Sequence, residues 1–165
     1  MISYSHRFAL FLIASCALSS WANAQNKPET PCPSAQGMKA EQLHGLWAAR
    51  FSKPPAGLPE LATLLLERHA EFSESLAGRV SRDLGAAAGA KAIAGHAAKA
   101  ELAGDLEAGM LLLDESSDGI SITGTWNGEM VPGSCGRVFQ GSWKDTSGSA
   151  AANAPDVPFT LTKLP

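Results

Sequence analysis

Two stretches bounded by turn signals set the pattern of the chain. After Asp118-Gly119, the residues Ile120, Ile122, Gly124 and Trp126 fall at alternate positions, with Ser121, Thr123 and Thr125 between them. A period of two marks a strand with one buried face. After Pro132-Gly133, Phe139, Gly141 and Trp143 alternate with Val138, Gln140 and Ser142, so a Gly-x-Trp triplet again sets glycine and indole on one pleat face. A third such triplet, Gly45-Leu46-Trp47, opens an earlier strand in which Trp47, Ala49 and Phe51 share a face until Pro54-Pro55-Ala56-Gly57 breaks the pattern.

The same alternation extends to the rest of the chain. A second strand is predicted from Ala62 to His69, with Leu64 and Leu66 inward and Leu65, Glu67 and His69 on the other side. Leu76, Gly78 and Val80 mark a third strand, with Ala77, Arg79 and Ser81 facing out. From Asp83 to Ala100 the Ala and Lys content favours a helix, yet Gly85, Gly89 and Gly95 each cost about 1 kcal/mol inside one. The segment reads as a loop to Ala90 and then a strand, because Ile93-Ala94-Gly95 and Leu102-Ala103-Gly104 share the apolar-x-Gly spacing of Leu76-Ala77-Gly78 and Ile122-Thr123-Gly124. Leu111 and Leu113 continue the meander, and Phe159 to Lys163 end it after a Ser-, Ala- and Gly-rich loop from Thr146 to Asp156. About eight strands with short connections and no long crossover predict an all-β, antiparallel meander that closes into a small up-and-down barrel.

Upstream of this domain, the first 24 residues have the form of a secretion signal: Arg7, an apolar run from Phe8 to Ala17, and the small-x-small site Ala22-Asn23-Ala24. Ile13-Ala14-Ser15-Cys16 offers a second reading, a lipobox that would make Cys16 a lipidated N-terminus and place the protein on a membrane. Residues 25–42, with Pro28, Pro31 and Pro33, are expected to form an extended, proline-rich leader, and residues 43–165 form the barrel domain. The expected address is periplasmic or secreted.

Cleavage after Ala24 removes 24 of 165 residues and leaves 141, enough for one domain with a real core. It also removes one base, Arg7, leaving 12 basic against 16 acidic residues and a net charge of −4. No basic cluster exists to neutralise phosphates, which excludes nucleic acid as the expected partner. With Cys16 in the signal, Cys32 and Cys135 remain, and two thiols in an oxidising compartment are expected to form one disulfide.

On these triplets and this strand count, the chain resembles the lipocalin and avidin group (calycin-type up-and-down barrels), in which Gly-x-Trp opens the first strand as Gly45-Leu46-Trp47 does here. The resemblance covers residues 43–165 as architecture and the triplet as motif. It implies a barrel that holds a small apolar ligand or lipid fragment, lined here by Trp47, Phe51, Trp126, Phe139, Trp143 and Phe159, with no charge pair on that inner face. Ala48 stands where lipocalins carry an aromatic, and the only tyrosine, Tyr4, lies in the signal, so biotin recognition of the avidin kind lacks a usual donor. The alternative is a protein-interaction module. Small single-disulfide bacterial barrels that inhibit metalloproteases have a similar first strand and present an N-terminal segment to the enzyme, a part the proline-rich leader is placed to play.

Candidate chemistry is sparse. Glu67, His69 and Glu71 alternate and would share one side of a strand, but no second histidine or cysteine stands at ligand spacing, so no metal or other cofactor is expected. His44 and His96 are isolated in sequence. Gly-x-Ser-x-Gly, His-Glu-x-x-His, phosphate-loop and dinucleotide patterns are all missing, and the expectation is a non-enzyme.

Overall fold

The structure, a computed structural model, describes residues 32–82, 98–151 and 153–165. The expected signal, residues 25–31 of the leader and the Ile93-Ala94-Gly95 triplet lie outside these residues.

Eight antiparallel strands among the described residues close a barrel in sequence order: β1 (Gly45–Phe51), β2 (Leu61–Arg68), β3 (Leu76–Ser81), β4 (Lys99–Glu107), β5 (Met110–Ser116), β6 (Gly124–Met130), β7 (Val138–Asp145) and β8 (Val157–Lys163). The barrel closes where β1 pairs with β8, Phe51 opposite Phe159 and Trp47 opposite Lys163. The period of two is the reason these segments are strands. Trp47, Ala49 and Phe51 of β1, Ala62, Leu64 and Leu66 of β2, and Phe139 and Trp143 of β7 are buried, while the residues between them are more exposed. The β4–β5 connection is a two-residue hairpin in which Ala108 (φ 49°) and Gly109 (φ 87°) both take positive φ, as a turn matched to the twist of paired strands requires.

The strand beginning at Ile120 is corrected. β6 starts at Gly124, and Ile120 and Ile122 lie in the β5–β6 loop, 90% and 50% exposed. The alternation there is real in sequence, but the Asp118 carboxylate turns the backbone before it can enter the sheet: its Oδ1 accepts from the N–H groups of Ile120 (2.9 Å) and Ser121 (2.7 Å). Gly124 and Trp126 do face inward, as expected.

The leader, expected to be extended, is folded where it is described. Two 3-10 turns, Ala35–Gly37 and Ala40–Leu43, cover the barrel end below β1 and bury Met38, Ala40 and Leu43 in the core. Trp47 Nε1 donates to the Leu43 carbonyl (2.7 Å), and Lys163 Nζ donates to the Gln42 carbonyl (2.6 Å) while standing 5.6 Å from the Trp47 ring centroid. Burial first, and the nearby Arg137 second, hold the Lys163 ammonium below its ordinary pKa. Met38 rests on Gly136, whose φ of +73° favours glycine over any residue with a Cβ. Cys32 and Cys135 are disulfide-bonded across this contact, with Cα atoms 4.5 Å apart and a separation of 103 positions in sequence. The predicted all-β barrel with one disulfide is therefore the observed one.

Candidate functional site

The six aromatic residues expected to line the barrel are buried and pack against one another. Trp47, Phe51, Trp126, Phe139, Trp143 and Phe159 are each at most 3% exposed. Phe51 lies 5.3 Å from Trp126 and 6.1 Å from Trp143, Trp126 lies 5.1 Å from Phe159, and Trp47 meets Phe139 edge-on at 5.8 Å, all separations at which aromatic pairs attract. The inward glycines make room for the rings. A Cβ on Gly124 would stand 2.6 Å from Trp143 Nε1, so the first glycine of the β6 triplet is a seat for the indole of β7.

The inner face is not free of charge, contrary to expectation. Arg82, just past β3, and Glu115, at the end of β5, are 3% and 0% exposed. Their fork is bidentate: Arg82 Nη1 donates to Oε1 (2.7 Å) and Nη2 to Oε2 (2.6 Å). Trp126 Nε1 (3.1 Å) and Trp143 Nε1 (3.2 Å) also donate to Oε2, and the guanidinium carbon stands 6.0 and 5.6 Å from the two indole centroids. Arg82 Nε has no hydrogen-bond partner among the described residues. A carboxylate met by this many donors is a structural anion that orients two indoles, and its bonds leave it poorly placed to take a proton from a substrate. The alternation carried the signal: Leu111, Leu113 and Glu115 share one face of β5, and Val80 and Arg82 share one face at the end of β3.

The Glu67, His69 and Glu71 series does not assemble into a metal site, and no cluster of metal-binding side chains occurs among the described residues. His69 instead caps the β2–β3 turn: its Nδ1 accepts from the N–H groups of Glu71 and Phe72 (both 3.2 Å), and its ring lies 5.1 Å from that of Phe72. Glu67 stands 3.8 Å from Arg79 on the exposed face. His44 follows the second 3-10 turn, and His96 lies outside the described residues.

Clefts do occur on the outside of the barrel. A groove of about 780 Å³ runs between Lys53 and Pro54 of the β1–β2 connection and Gln140, Pro158 and Thr160 of β7 and β8, reaching Phe51 and Phe159 between them, with the Arg50–Glu60 ion pair (2.6 Å) on its wall. A second, of about 510 Å³, crosses β2 to β5 over a floor of Ala77, Gly78 and Ala103 and is bordered by Ile122. A third, of about 380 Å³, lies beside it, with Asp118 and Gly119 on its edge.

The β5–β6 loop between these last two grooves is heavily braced. Besides the two N–H bonds, Asp118 Oδ1 accepts from Ser116 Oγ (3.1 Å), and Ser117 Oγ and Thr123 Oγ1 are hydrogen-bonded (3.1 Å). Thr123 N–H donates to the Glu115 carbonyl (2.7 Å), and Thr146 N–H donates to that of Thr123 (3.1 Å). The N–H donors of Ser121 first and Ile120 second lower the Asp118 pKa to about 2.

No protein-family model matches this chain, and no curated protein matches it.

Proposed function

We propose that the protein is an exported protein-binding module, with a hydrolase outside the cytoplasm as its partner class. The observation that carries this reading is where space lies: the aromatic residues of the interior fill it with one another, whereas clefts and a braced loop face solvent on the outer wall. A disulfide across 103 residues suits an oxidising compartment, and the likeness to single-disulfide inhibitor barrels supports the partner class. The leader is a weaker candidate for the contact element than the sequence implied, because residues from Ala35 to Leu43 are committed to the barrel end.

The small-apolar-ligand reading draws support from the closed barrel and its aromatic lining, but it needs volume that Phe51, Trp126, Trp143 and Phe159 occupy. Titration with an environment-sensitive apolar dye, followed through dye and tryptophan emission, separates the two. The expected result is no saturable change. Stoichiometric, saturable binding that shifts the tryptophan signal would overturn the module reading in favour of a carrier.

A further inference from the structure

We infer that the β5–β6 loop is the contact element of this surface, inserting Ile120 into an apolar, aliphatic-accepting pocket of a hydrolase whose cleft has a positively charged rim. The inference rests on the module reading above. A lone exposed aliphatic residue is ordinary on a soluble protein. This one differs in its setting: Ile120 is 90% exposed at the tip of a loop whose backbone is fixed by the Asp118 carboxylate beneath it and tied to the β7–β8 connection through Thr146. A loop already held in one conformation loses little freedom when it binds, which is how a small contact gains affinity. Sequence alternation that would suit a strand is thus diverted to hold an isoleucine in water.

The surroundings indicate the chemistry of the partner. Ile122, half exposed, extends the apolar surface into the groove over Ala77 and Ala103. The carboxylates lining the two grooves that flank the loop are Glu67, Glu101, Asp114 and Asp118 against the bases Arg79 and Lys99, and the excess of acids lies in the groove over Ala77 and Ala103. An apolar tip beside an acidic groove complements an apolar pocket with a basic rim.

The test uses two purified enzymes as probes, an elastase-type serine endopeptidase and a thermolysin-type zinc endopeptidase, and measures inhibition by the full mature protein. Ile120→Asp is the informative variant, since a side chain 90% exposed carries little folding burden, and Leu46→Asp, at a residue 48% exposed on β1, is the control. The expected result is inhibition of at least one enzyme, weakened at least tenfold by Ile120→Asp, less by Ile120→Ala and not by Leu46→Asp, with tighter inhibition at low salt. Inhibition that Ile120→Asp leaves unchanged overturns the loop assignment and keeps the hydrolase reading; if deleting residues 25–31 then abolishes it, the leader is the contact element. Failure of the unaltered protein to inhibit either enzyme overturns both. Ile120-dependent self-association or sedimentation with anionic lipid vesicles overturns the choice of partner.

Discussion

Removing the Glu115 carboxylate tests whether the buried ion pair is a matched structural unit. In Glu115→Ala the Arg82 guanidinium, always charged, would remain in a site where the residue is 3% exposed, without its counter-ion. Stranding one member of a buried pair costs about 3 to 5 kcal/mol. The indole N–H groups of Trp126 and Trp143 lose their acceptor as well, each worth about 1 to 3 kcal/mol when buried and unpaired. Together these reach the reserve of a domain this size, about 5 to 15 kcal/mol, so the variant should be at or near unfolding. The diagnostic effect is a change of sign. Arg82→Met alone should destabilise, because it strands the carboxylate, whereas the same change added to Glu115→Ala should stabilise by about 3 kcal/mol, because it removes the stranded charge. Urea unfolding followed by near-ultraviolet circular dichroism reads all four proteins. If Arg82→Met lowers the midpoint in both backgrounds, the two side chains are not coupled as described and the reasoning fails.

Trp126→Ala should cost about 3 to 5 kcal/mol through lost burial and the cavity it leaves, while Thr125→Ala on the outer face should cost about 1 kcal/mol or less; equal urea midpoints would contradict the register of β6. Asp118 has its pKa lowered from 3.8 to about 2, so its contribution to stability is complete above about pH 4 and is lost as pH falls toward 2. The stability gap between the unaltered protein and Asp118→Asn should therefore be constant near neutrality and close across that acid window, and a gap independent of pH down to 2 would refute the role of the carboxylate. Peptide mass spectrometry without reduction should recover Cys32 and Cys135 linked, and Cys32→Ser/Cys135→Ser should lose about 4 to 5 kcal/mol on the chain-entropy account. Two free thiols would refute the bond.

Much of the barrel is legible because its determinants are local. Gly45-Leu46-Trp47, the inward leucines of β2 and the Phe139–Trp143 alternation each state a period of two, and short connections leave few ways to join such strands. Ile120 and Ile122 show the limit of that logic: the same period precedes β6, but a side-chain acceptor at Asp118 offers the backbone a competing set of bonds. Arg82 and Glu115 were hidden by a composition rule. Charged residues are read as outward by default, yet both stand in phase with buried neighbours, and it takes the partner 33 residues away to make either acceptable inside. The folding of the Ala35–Leu43 segment onto the barrel end was also beyond local reading, since it depends on the Met38–Gly136 contact between distant parts of the chain.

The β1–β8 seam has a consequence for how the molecule comes into being. Its two strands, Gly45–Phe51 and Val157–Lys163, stand at opposite ends of the barrel sequence, so the final ladder can form only when nearly the whole domain is present. Until then β1 and the growing end of the meander each carry an unpaired edge able to recruit a neighbouring chain. All-β topologies that depend on such distant pairing fold on the order of milliseconds to seconds, which is long for an aggregation-prone intermediate. The seam thus ties closure to the two ends of the barrel sequence, and substitutions at Ala49 or Leu161, paired across it, should be felt first as lost soluble yield.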